Sequence, residues 1–216
     1  TIKGEGDPEN PGIYTLDDLL AFRDAVNNDA DFSQWVDESN VINLYADIDA
    51  SSVYNSPTGD WERIYRLNAG YTFEGNNFTI TFADDEVYED NSGWALFYFN
   101  MGTVQNLNVV ANLKIAANGQ SVTKNYSAIC SHNYGVVHNC HATISVDSDY
   151  TALEVGGIAF SNHEGATISQ CSSQGSIEGI STFGGVVADN LGGTVKNCSS
   201  SVNALEGPAD FGATWG

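Results

Sequence analysis

GVVADNLGGTVKNC, residues 185–198, decides how this chain folds. Val195 and Cys198 are both apolar yet three apart. A straight strand alternates its side chains between two faces with a period of two, so it would send those residues in opposite directions. The chain must therefore bend at Lys196 and Asn197.

Moving outward, three earlier segments align with this one: residues 95–107 (ALFYFNMGTVQNL), 128–140 (AICSHNYGVVHNC) and 157–171 (GIAFSNHEGATISQC). Their closing positions, Leu107, Cys140, Cys171 and Cys198, are separated by 33, 31 and 27 residues. After the bend, alternation resumes: Cys140, Ala142, Ile144 and Val146 point one way, His141, Thr143 and Ser145 the other. Each copy also carries an asparagine (Asn100, Asn133, Asn162, Asn190) shortly before a glycine, and this pair predicts a second corner with left-handed backbone angles. Short strands meeting at corners, repeated at one coil's length, cannot bury their faces alone. Stacking coils about 4.8 Å apart lets them share a core and backbone hydrogen bonds. The expected fold is all-β, a right-handed parallel β-helix spanning residues 41–216, with FGATWG at 211–216 beginning a further copy.

Ahead of the repeats, residues 1–12 are rich in Gly and Pro and read as an extended lead-in. Thr15 is placed to cap a helix over 16–26, with Asp17 and Asp18 in its first turn where the helix dipole favours negative charge. With the lead-in it forms an N-terminal segment, 1–40, expected to close the open end of the solenoid and shield its strand edges.

GGTVKNC at 192–198 and GTVQNL at 102–107, with the opening GEGDPENPGIYTLDDLLAF, resemble the GLUG repeats of surface and secreted proteins in gut Bacteroidetes and of some bacterial adhesins. The pattern departs from that family at Trp94 and Ser127, where a leading Gly is expected, and at Tyr98, Ser131, Phe160 and Ala188. The resemblance implies a β-helical protein of the cell surface or the medium, with an adhesive role and no catalytic residues.

Charge narrows the partners. The chain has 7 Lys and Arg against 28 Asp and Glu, a net charge of -21, so nucleic acid and anionic membrane surfaces are repelled. The imbalance is concentrated in residues 1–90, with 20 acidic and 4 basic side chains. No apolar run is long enough to insert in a membrane. A host or microbial glycan, or a protein, remains as partner.

Several constellations compete with plain packing. Cys130, His132, His138, Cys140 and His141 offer the atoms zinc prefers. Yet Cys140 and Cys171 stand where Leu107 stands, and Cys130 where Phe97 stands, so an apolar packing role is expected, with Cys140, Cys171 and Cys198 stacked inward. Asp47 with Asp49, residues 84–86, and Asp147 with Asp149 have the oxygens calcium needs but match no calcium loop, and a solvated acidic surface is expected. No cofactor is expected. A polysaccharide lyase needs cations and a base, and a hydrolase needs paired carboxylates. The repeats hold only Lys114, Lys124 and Lys196, while Glu164 and Asp189 fall in different registers, so no catalytic set is expected. The aromatics Tyr14, Trp35, Tyr45, Tyr54, Trp61, Tyr65, Tyr71, Tyr88, Trp94 and Tyr98 gather before residue 100 and are expected mainly to cover the solenoid's end. Exposed ones beside carboxylates would instead suit a sugar. The functional expectation is a non-catalytic extracellular binding or adhesin-like module; a polysaccharide-active enzyme and a structural spacer are the alternatives.

Overall fold

In the computed structural model, residues 10–55, 61–88, 93–115, 124–148 and 153–206 are described. The lead-in up to residue 9 and the copy at 211–216 lie outside them.

Among the described residues one α-helix, α1 (Leu16–Asn27), precedes nineteen strands. These are β1 (Val41–Asn43), β2 (Ile48–Asp49), β3 (Ile64–Leu67), β4 (Thr72–Glu74), β5 (Thr79–Tyr88), β6 (Phe97–Asn100), β7 (Thr103–Gln105), β8 (Asn108–Ile115), β9 (Lys124–Ser127) and β10 (Cys130–Asn133). The remainder are β11 (Val136–His138), β12 (His141–Ser148), β13 (Leu153–Gly156), β14 (Ala159–His163), β15 (Thr167–Ser169), β16 (Ser172–Gly184), β17 (Val187–Leu191), β18 (Thr194–Lys196) and β19 (Ser199–Glu206).

All pairings between these strands are parallel, and each strand pairs with its counterpart one coil away, which makes the molecule a β-solenoid. One face is a six-stranded sheet, β1-β4-β7-β11-β15-β18. A second is five-stranded, β3-β6-β10-β14-β17. The third is eight-stranded and contains β2, β5, β8, β12, β16, β13 and β9, with β19 on β16. β16 turns partway, pairing through residues 172–177 with β12 and through 180–184 with β13.

Register explains the core. Ile42, Phe73, Val104, Val137 and Ile168 stack inward on the six-stranded face, and all are fully buried. On the five-stranded face Ile64, Phe97, Cys130 and Ala159 do the same. Leu107, Cys140 and Cys171 form a buried post after the corner, with Cys198 half-buried above them. The chain turns from the six- to the eight-stranded face through left-handed residues, Asn106, Asn139, Gln170 and Asn197, with φ of 53, 49, 54 and 55°. Such angles strain most side chains but suit Asn. The expected bend at Lys196 and Asn197 is this corner.

The second expected corner lies where each coil passes from the five- to the six-stranded face, and Gly165 and Gly192 there take left-handed angles, with φ of 81 and 89°; the asparagines do not. Asn100 and Asn133 end strands, Asn162 and Asn190 stand one residue before a strand's end, and none of the four has a positive φ. Their side chains form a ladder instead: Nδ2 of Asn100 donates to Oδ1 of Asn133 (2.8 Å), Asn133 to Asn162 (2.9 Å) and Asn162 to Asn190 (3.1 Å). The first three are fully buried. Each second amide hydrogen goes to a carbonyl beyond the turn, Val136, Thr167 or Thr194. Buried amides demand partners, and in-register stacking supplies them. The glycines that follow allow close approach: a Cβ on Gly102 would strike the carbonyl of Tyr71, and one on Gly135 that of Gly102.

At the N-terminal end Thr15 and Asp18 form a reciprocal capping box, with Leu19, Phe22 and Val26 buried. The helix end seals the edge of β3: Asn27 donates to the carbonyl of Arg63 (3.0 Å) and accepts from the amide of Tyr65 (2.7 Å). Ile13 pairs in parallel with Leu44 at the neighbouring edge. The capping role expected of the helix is the observed one; residues 1–9 of the expected segment lie outside those described.

Candidate ligand-binding face

The outer side of the five-stranded sheet carries Arg66, Phe99, His132, Ser161 and Asp189 in one register row. Beside it lie Tyr65, Tyr98 and Phe160, with Tyr134 in the turn after β10 and His163 at the end of β14. Their rings are continuous across four coils. Tyr65 meets Phe99 at 5.7 Å between centroids, Phe99 meets Tyr134 at 6.2 Å, and Tyr134 stacks on His163 at 3.9 Å. His132 sits among Tyr98, Phe99, Phe160 and His163. Tyr65 and Tyr134 are each 47% exposed, as is neighbouring Met101, so the row faces solvent. Monomeric proteins seldom leave a contiguous apolar surface of this kind without a use.

A polar set runs through the rings. The Oγ of Ser161 lies 2.7 Å from Nδ1 of His132 and 3.0 Å from Nε2 of His163. One hydroxyl proton cannot serve both rings, so at least one imidazole donates to the oxygen. Burial, then His163 and Arg63, hold the proton affinity of His132 below that of a free imidazole. Ser161 is itself buried, which removes its hydroxyl from reach as a nucleophile.

Arg63 lies with its guanidinium 4.5 Å from the Tyr98 ring centroid and donates from Nη1 to Oγ of Ser131 (3.1 Å). Arg66 pairs with exposed Asp29 at 3.2 Å. At the far end, burial and then nearby Asp189 raise the Glu154 carboxyl above its ordinary range.

The expected site residues sort cleanly. Cys130 and Cys140 are buried inside the coil, and burial raises both thiols. His132, His138 and His141 lie outside, each against a serine of the next coil (Ser161, Ser169, Ser172). A sheet therefore separates the sulfurs from the imidazoles, and the five cannot converge on one ion. Asp49 is held below its usual range by Ser51 and shapes a local turn, and Asp47 accepts from the amide of Thr79. The side chains at 84–86, 147 and 149 lie outside those described.

Among the early aromatics, Trp35, Trp61 and Trp94 are buried in the end of the solenoid, whereas Tyr65 and Tyr98 open the exposed row. Sequence reasoning missed Phe99, Tyr134, Phe160 and His163 as members of that row, and weighed His132 only as a zinc ligand. The available signal was alignment of the copies, which brings Phe99 beside His132 and Tyr134 one coil above Met101.

No family model matches the chain, and no curated protein matches it. Among solved structures it is similar to one titled "putative immunoglobulin A1 protease", from Bacteroides ovatus, at 14% identity and a TM-score of 0.42, covering 99% of this chain and 80% of that one. A likeness this distant says nothing of activity, and the solenoid rests on the strand register itself.

Proposed function

We propose that this chain is a non-catalytic binding module of an extracellular or outer-surface bacterial protein, and that it takes a glycan on the outer side of the five-stranded sheet. The observation that carries this is the solvent-facing row from Tyr65 through Phe99 and Tyr134 to His163, one ring per coil. Rings 5.7, 6.2 and 3.9 Å apart from coil to coil make a continuous strip along which an extended sugar chain can lie, and aromatic rings offer apolar contact with a polar rim. The resemblance to GLUG repeats supports the surface location and adhesive role. A glycan array tests the reading: specific signal that falls at least about tenfold in Tyr134→Ala, a loss of roughly 1.4 kcal/mol, is expected. An array on which wild type and Tyr134→Ala give equal signals would remove it.

Glu154, whose carboxyl is raised above its ordinary range by burial and then by nearby Asp189, favours a second reading, a polysaccharide hydrolase that works through these two acidic side chains. Release of reducing ends by the wild type, abolished in Glu154→Gln, would put that reading first.

A further inference from the structure

We infer that the aromatic face selects sugars bearing a carboxylate, and that Arg63 is the residue that receives it. This rests on the glycan-binding reading above and names its ligand class.

Arg63 is half-buried, and no carboxylate lies within ion-pairing distance of it among the described residues, whose ion pairs are Arg23 with Asp24 and Arg66 with Asp29. In a chain with 28 acidic side chains and 7 Lys and Arg, a guanidinium with no counter-ion among the described residues is conspicuous. Taking a cation partly out of water costs free energy that a paired anion normally offsets. Among the described residues the groups that meet it are neutral, the Tyr98 ring under its central carbon and the Ser131 hydroxyl at Nη1.

These two contacts also fix its orientation. The Tyr98 ring lies under the guanidinium carbon and one nitrogen is anchored, which leaves other N–H groups for a planar two-oxygen acceptor. Ser131 lies next to His132, so the guanidinium reaches the middle of the ring row. A sugar whose ring rests on Phe99 and Tyr134 would have its acid group within reach of a fixed cation. The net negative charge of the molecule opposes this only weakly at physiological salt, where fields fade over about 8 Å.

Binding of tetragalacturonate is compared with that of its methyl ester, and sialyllactose with lactose, by calorimetry at physiological salt. At least one acid should bind about tenfold or more tighter than its neutral counterpart, as expected for a charge-assisted hydrogen-bonded contact. Arg63→Gln should erase that preference, and Arg63→Lys should retain part of it. Circular dichroism checks that both variants keep the wild-type strand signal. The inference is overturned if neither acid is preferred to its neutral counterpart, or if Arg63→Gln keeps the preference. Neutral sugars that bind and respond to Tyr134→Ala would then leave the glycan-binding reading standing alone.

Discussion

Asn133 receives from Asn100 below and donates to Asn162 above, at the middle of the ladder. Replacing it by Leu keeps the bulk but leaves Oδ1 of Asn162 without that donor in a dry site. The expected loss is about 2–3 kcal/mol in urea unfolding, against less than about 1 kcal/mol for Asn190→Ala at the exposed end. Equal losses at the two positions would mean that burial does not govern the ladder. His132 gives the pH counterpart. Its folded proton affinity is lowered, so the unfolded chain binds the proton more readily; stability is whole above about pH 6.5 and drains away as the pH falls through the folded pKa. Urea midpoints at about pH 7.5 and 5 should therefore differ more for wild type than for His132→Gln, and an identical slope in both would count against His132. The asparagines and glycines of the corners were visible in the sequence, but the division of labour was not. Asn serves equally as a left-handed turn residue and as a buried amide, and only stacking distinguishes Asn139 from Asn133.

Among the elements, α1 was readable almost to the residue because its cap is local chemistry: Thr15 and Asp18 need nothing beyond the first turn. Thr15→Ala should cost about 1 kcal/mol, read as a lower thermal midpoint, and an unchanged midpoint would deny the cap any role. The cysteine post was readable too, since position after the corner dictates inward packing. All four cysteines are free. Alkylation of the native protein should therefore reach half-buried Cys198 first, with Cys130 and Cys140 reacting only on unfolding. Cys171→Ala should cost on the order of 1 kcal/mol through a small cavity. Rapid native labelling of Cys130 would contradict its burial. The ring row, by contrast, was hidden because its members come from different coils and from both strand and turn positions. No linear pattern joins Tyr65 to His163; the register does.

For the whole molecule, the core coarsens toward the N-terminus. Phe73, Phe82, Phe97, Trp61 and Trp94 fill the early coils, while Cys171, Ser173 and Gly175 occupy inward positions later, and Val195 and Leu191 are 38% and 48% exposed. A solenoid's stability is nearly a sum over neighbouring coils, so protection against amide exchange should decline from β4–β8 toward β17–β19. Uniform protection along the stack would show instead a single cooperative block.

The asparagine ladder runs one way. Every rung donates toward the C-terminus, and its first oxygen, Oδ1 of Asn100, has no partner above in-register Leu67. Such a row is polar like a chain of magnets laid head to tail, and any interior rung is chemically interchangeable with its neighbour. An in-frame genetic duplication of one whole coil therefore inserts a new Asn that accepts from the rung behind and donates to the rung ahead, leaving nothing orphaned. Copy number can drift in descendants of this sequence without rebuilding the core, and the ring row lengthens by one step each time.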